Sequence, residues 1–394
     1  MHYRNEISVH AVPRRLFPHA LLGLTSLLYA GVLTAAGLTG TVPAPAVEAR
    51  SYILIDYQTG AVLAEKNADD KVEPASLTKI MTIYTAAHAL KEGLVKLTDE
   101  VEVSRKAWKM EGSKMFIEVG KRISVDLLID GIVIQSGNDA SVALAEHVSG
   151  SEEVFASLMT KYAHDLGMSN TSFADATGLP DANTYTTARD MAKLSAALIR
   201  EFPDLYQRFS MKEFTFNGIH QHNRNRMLAR DATVDGIKTG HTDSAGYCLV
   251  SSALRDGMRV IAAVMGTASD SARTESSYAL INYGYRFFET RQLYAAKEVV
   301  ASPRVWGGAA ETVALGSAAP VAVTLPRGRF KEVKAVAKLD EPIRAPLTEG
   351  QTLGKMVLSL DSRDIVEIPL AALAAVPEGS LFARLIDGVK LLFR

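Results

Sequence analysis

A single cysteine, Cys248, stands among the 394 residues, so no disulfide can form within the chain, and cysteine usage says nothing about the redox compartment. An excess of one charge is also missing: 43 Lys and Arg against 44 Asp and Glu leave a formal net charge of -1. That balance exerts no pull on a polyanion and argues against nucleic acid as a partner. There is no internal repeat, no low-complexity tract and, beyond residue 42, no apolar run long enough to span a bilayer. Histidine is absent from residue 290 onward, where little else is suited to chemistry, so a spacer or docking role is expected there. What is present, 47% hydrophobic and 22% charged residues, is an ordinary globular composition. The length suggests two or three units.

The N-terminus carries a targeting pattern. Arg4, Arg14 and Arg15 precede an apolar run over residues 20–42, and Val47-Glu48-Ala49 places small residues before Arg50. This predicts a signal peptide over residues 1–49, removed on export. The competing reading keeps the run as an uncleaved anchor. Either way, the rest of the chain lies outside the cytoplasm, as the flanking positive charge also indicates.

Residues 51–57 and 61–65 alternate as short strands around Gln58-Thr59-Gly60, a hairpin pattern. Residues 76–94 carry helical periodicity with few charges, which predicts a buried helix. Further helices are expected over 125–134, 139–148, 152–166, 188–200, with Thr187 and Asp190 as a capping pair, and 276–289. Strands are expected over 236–239, 247–253 and 258–265. A sheet built from both ends of residues 50–289, with helices between them, is a mixed α/β or α+β arrangement. Residues 290–376 shift to short β runs at 321–325, 332–338 and 355–360 and predict a small all-β domain. Over 377–394, Leu381, Phe382, Leu385, Ile386, Val389, Leu392 and Phe393 fall on one helical face opposite Arg384, Asp387 and Arg394. Such a helix is too short to span a membrane and suited to lie in its interface. Packing on the preceding domain is its alternative fate.

Three short motifs carry the chemistry. Ser76 and Lys79 stand three apart at a helix start, on one face, the only Ser-x-x-Lys in the chain. A serine hydroxyl needs a base to become a nucleophile, and a lysine serves once burial or a nearby cation depresses its pKa. Ser136-Gly137-Asn138 lies at a helix junction, where a turn can project a hydroxyl and an amide. Lys238-Thr239-Gly240 places a cation and a hydroxyl beside a residue without a side chain. Each alone is ordinary helix, turn or strand chemistry. His220 and His222 could share one strand face as a metal pair, but with no third ligand close by in the sequence a hydrogen-bonding pair in a surface turn is expected, and no metal. Cys248 reads as a small core residue.

Together, in the order Ser-x-x-Lys, Ser-x-Asn, Lys-Thr-Gly, the motifs resemble those of the penicillin-recognising serine enzymes, the penicillin-binding proteins and serine β-lactamases. Asp56-Tyr57-Gln58-Thr59-Gly60, Pro74-Ala75-Ser76-Leu77-Thr78-Lys79, Gln135-Ser136-Gly137-Asn138-Asp139-Ala140 and Gly236-Ile237-Lys238-Thr239-Gly240-His241-Thr242 resemble the low-molecular-mass D-alanyl-D-alanine carboxypeptidases. The likeness covers essentially the whole exported chain. It implies a transpeptidase-like catalytic domain over 50–289, with an antiparallel sheet flanked by helices, followed by the all-β domain and a terminal anchoring helix. It also implies removal of the terminal D-alanine from peptidoglycan pentapeptides through an acyl-enzyme on Ser76, and slow-leaving acylation by β-lactam antibiotics. No cofactor is implied. By the same resemblance Lys79 is the base and Ser136 the proton relay, Asn138 contacts a substrate amide, Lys238, Thr239 and His241 line the binding edge, and Arg273 holds the substrate carboxylate. The chain is then expected at the outer, periplasmic face of the cytoplasmic membrane. A serine β-lactamase would share the motifs, but the Glu-x-x-Leu-Asn segment of class A enzymes is missing between Asn138 and Lys238. A wall-binding module without activity is opposed by the intact Ser76, Lys79, Ser136 and Lys238.

Overall fold

A computed structural model of the chain describes residues 7–8 and 43–393. The apolar run 20–42 of the expected signal peptide lies outside the described residues. Contacts divide the chain into two compact units, one running to Tyr57 and from Ala61 to Phe288, the other taking residues 58–60 and Glu289 onward.

The first unit is built on a five-stranded antiparallel sheet in the order Val62–Lys66, Ser51–Asp56, Met258–Thr267, Gly246–Arg255, Val234–Thr242. Successive side chains of a strand point to opposite faces, and the two faces feed separate cores. Ile53, Ile55, Ile261, Ala263 and Met265 join the cluster holding the helix Thr78–Lys91, whereas Tyr52, Leu54, Val260, Ala262 and Val264 join Leu280 and Ile281 of the helix Asp270–Phe287. Burial on both faces is why these strands read as continuous apolar runs rather than alternating ones. The helix Thr78–Lys91 is buried on nearly every side from Thr78 to Ala87, which accounts for its shortage of charge.

Several element bounds differ from expectation for local reasons. The expected helix 125–134 is helical over Val125–Asp130 and then widens into a π-turn over Gly131–Gln135, which ends at Ser136 in the left-handed region (φ 65°). The last helix of the first unit begins at Asp270, six residues earlier than expected, because the Ser269 hydroxyl accepts the Ala272 N–H and caps it. Arg273 is therefore in a first helical turn. The Thr187 hydroxyl caps Ala188–Glu201 through the Asp190 N–H as anticipated.

The second unit is β-rich. Lys334–Leu339, Thr352–Leu360, Arg363–Ala372 and Leu315–Gly316 are neighbours in one antiparallel sheet, and Val321–Pro326 pairs with the strand that continues from Glu289 to Tyr294. A separate core that includes Leu315, Leu325, Met356, Leu358 and Leu370 fills it. The helix Leu381–Leu392 follows. Its Asp387 accepts from Arg304 and from the Gly307 N–H, and its Arg384 pairs with Glu378, while Leu381, Phe382, Leu385, Ile386, Val389, Leu392 and Phe393 are all exposed. Among the described residues no helix is long and apolar enough to cross a membrane.

Candidate active site

Ser76 sits on a single 3-10 turn, Ala75–Leu77, that runs directly into the helix carrying Lys79. Ala75 has a positive φ of 48°, an uncommon backbone for a residue with a Cβ. Two glycines make the turn possible. A Cβ on Gly240 would lie 2.9 Å from the Pro74 carbonyl oxygen, and one on Gly178, itself at φ +77°, would lie 1.8 Å from that of Ala75. The strand Val234–Thr242 and the loop at Gly178 thus approach the Ser76 turn as closely as backbones allow.

Lys79 is fully buried. Its Nζ lies 3.1 Å from Ser76 Oγ, 2.7 Å from Asn138 Oδ1 and 2.6 Å from the Thr177 carbonyl oxygen. Its pKa is lowered to about 7, chiefly by burial; Asp175 and Asp139 pull it up and Arg224 pushes it down. Asn138 is held in turn by donating from Nδ2 to the Glu111 carbonyl at 2.6 Å. Ser136 is buried and its hydroxyl has no partner among the described residues, an available donor and acceptor beside Asn138.

Lys238 and Thr239 are buried on the edge strand, and Lys238 Nζ donates to the Thr239 carbonyl at 3.2 Å. Burial, followed by the charges of Lys79, Arg224 and Arg273, puts the Lys238 pKa well below the lysine range. Among the described residues no carboxylate forms a salt bridge with it. Arg273 donates to the Gly240 and Cys248 carbonyls at 3.0 and 3.3 Å and pairs with Asp270; its buried Nε has no partner among the described residues. His241 is exposed at the strand's end, its ring tilted over Tyr247 at 3.9 Å. The fold therefore gathers Ser76, Lys79 and Asn138 in direct hydrogen-bonded contact, leaves the neighbouring Ser136 hydroxyl without a partner among the described residues, and carries Lys238, Thr239 and His241 on one strand, which Arg273 ties through the Gly240 carbonyl to Cys248 of the adjacent strand.

Three positions escaped the sequence reading. Asp175 accepts the N–H groups of Thr177 and Gly178 and the Thr177 hydroxyl, fixing the carbonyl that Lys79 meets. Buried Asp139 accepts the N–H groups of Met115, Phe116 and Ile117, anchoring the loop that carries Glu111. Arg224 lowers the pKa values of both lysines. Only Asp175-Ala176-Thr177-Gly178 offered a signal, that of an Asx turn.

The family described as D-alanyl-D-alanine carboxypeptidase matches residues 39–269, and that described as penicillin-binding protein 5, C-terminal domain, matches 288–378. The chain is 45% identical over 377 residues to the D-alanyl-D-alanine carboxypeptidase DacC of Escherichia coli (strain K12), covering 94% of each. It is 44% identical to DacA of the same organism, covering 94% of this chain and 96% of that one. Penicillin binding protein 5 of Haemophilus influenzae superposes with a TM-score of 0.83 at 42% identity, over 86% of this chain and all of the other. Penicillin-binding protein D2 of Listeria monocytogenes, in an ampicillin-bound form, aligns at 28% identity with a TM-score of 0.57, over 62% of this chain and all of that one. With a match over more than half its length and relatives at this identity, the chain belongs to the D-alanyl-D-alanine carboxypeptidase family.

Proposed function

We propose that this serine-type carboxypeptidase removes the terminal D-alanine from peptidoglycan pentapeptides through an acyl-enzyme on Ser76, with Lys79 as its base. The observation that carries the reading is the Lys79 amine, 3.1 Å from Ser76 Oγ with a pKa of about 7. A neutral amine has two hydrogens and one lone pair. Asn138 Oδ1 and the Thr177 carbonyl accept the hydrogens, which leaves the lone pair for the Ser76 hydroxyl proton. Ser76 Oγ bonds to the carbonyl carbon of the penultimate D-alanine as its proton passes to Lys79. Backbone N–H groups at the start of the helix stabilise the oxyanion.

The unpartnered Ser136 hydroxyl then relays the proton to the departing nitrogen as the C–N bond breaks, and water hydrolyses the ester. Arg273 supplies positive charge for a terminal carboxylate, and Lys238, which has no carboxylate partner among the described residues and a pKa lowered by burial and nearby cations, gains a partner for its charged form when that anion arrives. Thr239 and His241 extend the same edge. Because the strand is the last in its sheet, an extended peptide can lie along it. The ampicillin-bound relative supports β-lactams as inhibitors acylating the same serine.

The exposed apolar side of Leu381–Leu392, opposite a polar side tied down by Asp387 and Arg384, supports peripheral anchoring of an exported enzyme at the outer face of the cytoplasmic membrane. The central test is labelling with a fluorescent penicillin, followed by mass spectrometry. The adduct is expected on the peptide containing Ser76 and is expected to vanish in Ser76→Ala; labelling of the folded variant would assign the nucleophile elsewhere.

A further inference from the structure

The sequence placed no third ligand beside His220 and His222. The fold supplies one from the neighbouring strand. Glu213–Phe216 and Ile219–His222 form an antiparallel hairpin in which Glu213 is directly opposite His222 and Thr215 opposite His220. Its turn is Asn217-Gly218, both at positive φ, the two-residue type that keeps strands in tight register. Side chains two apart share a face. Phe214 and Gln221 occupy the buried side, where Gln221 Nε2 donates to the Lys114 carbonyl at 3.2 Å. Glu213, Thr215, His220 and His222 therefore share the outer side, and all four are exposed.

From this juxtaposition we propose that Glu213, His220 and His222 form a binding site for one first-row divalent cation, zinc being the best fit. Their ligand atoms all lie within 4.8 Å of one another. His220 Nε2 is 3.4 Å and His222 Nδ1 3.9 Å from Glu213 Oε2, and the two rings stand nearly perpendicular, 4.7 Å apart. With zinc–ligand bonds of about 2.0–2.1 Å, tetrahedral geometry sets neighbouring ligand atoms about 3.3 Å apart. One pair is already at that spacing, and small rotations of exposed side chains close the rest. His220 Nδ1 is engaged with the Thr215 hydroxyl at 3.0 Å, which orients the ring and frees Nε2 for the metal, the outer-shell arrangement typical of ligating histidines. Two imidazoles and one carboxylate suit zinc over calcium or magnesium, which prefer oxygen donors. The fourth position faces solvent. A bound ion would cross-link the two strands two residues before Arg224, and it takes no part in the reaction proposed at Ser76.

The test uses the full chain without a polyhistidine tag, stripped by a chelator and titrated with zinc chloride against a chromophoric competitor. One equivalent is expected to bind, with affinity falling about tenfold or more in Glu213→Gln and in His222→Ala. Zinc should raise the melting temperature of the parent chain and leave both variants unmoved. Penicillin acylation, which all three proteins should retain, reports that they are folded. No binding by the parent, or unchanged affinity in both variants, would overturn the site.

Discussion

The Lys79 amine lies 2.6 Å from the main-chain carbonyl oxygen of Thr177, closer than to either of its other two partners. A backbone acceptor of this kind cannot be protonated or rotated away, so one amine hydrogen has a fixed direction. The geometry of the remaining hydrogen and the lone pair follows from it.

The first prediction concerns pH. If the free amine is the base, acylation by penicillin should rise with pH through about 7 and level off above it. Linkage gives a second reading of the same group. Its folded pKa lies below the unfolded value of 10.5, so between about 7 and 10.5 the unfolded chain binds more protons, and this lysine's contribution favours folding increasingly as pH rises. Because Arg224 lowers the Lys79 pKa, Arg224→Ala should move the acidic limb of the acylation profile to higher pH. A limb unmoved by Arg224→Ala, or a profile flat from pH 5 to 9, would remove Lys79 from the role of base.

Gly178→Ala should destabilise the first unit by about 2 kcal/mol or more, combining left-handed strain with a clash against the backbone of Ala75. Acylation should fall as well, because the displaced atoms belong to the turn that holds Ser76. Urea unfolding and penicillin labelling measure the two effects. A variant of normal stability would show that the loop at Gly178 is free to shift.

Arg273→Ala should reduce turnover of a D-alanyl-D-alanine peptide more than penicillin acylation, as expected if its guanidinium meets the peptide's terminal carboxylate. It also donates to the Gly240 and Cys248 carbonyls, so some stability should go with it, roughly 1–3 kcal/mol. Arg273→Lys, with one cation and no fork, should recover acylation better than peptide turnover. Equal, small losses in both assays would show that Arg273 only ties the strands.

Deleting residues 377–394 should release a soluble protein that still reacts with penicillin. Burial of apolar side chains such as Phe382, Leu385 and Ile386, all exposed now, is worth ~1.5–3 kcal/mol each, enough for reversible adsorption. Sedimentation with vesicles should be stronger for anionic lipid and weaker at high salt, since Arg384, Lys390 and Arg394 outnumber Asp387. Continued sedimentation of the truncated chain would place the anchor elsewhere.

The mixed helix and antiparallel-sheet architecture was legible because apolar runs, charge-poor helices and capping residues such as Thr187 act locally. What stayed hidden depended on contacts across the chain or on unmarked backbone. The strand Arg363–Ala372 follows a turn at Asp361-Ser362, where both residues take positive φ without glycine, so no turn residue announced it. The π-turn before Ser136 has no sequence mark. Around the site, the pairing of Ser76 with Lys79 followed from helical spacing, whereas Asp139 meets Met115 and Asp175 shapes a loop against a helix nearly a hundred positions away. The hairpin's third ligand was missed because Glu213 is nine positions from His222 in sequence and opposite it in register.

The chain's one thiol is enclosed in the central sheet. Cys248 has no exposed surface, sits on the strand beside Val234–Thr242, and burial pushes its pKa up to about 11. A thiol reagent in neutral buffer therefore has no target on the folded protein. Its rate of incorporation measures how often the sheet opens at Cys248, without any engineered probe. A β-lactam held on Ser76 should slow that rate if the acyl group braces the strand next to Cys248, so alkylation kinetics can follow antibiotic occupancy from inside the sheet.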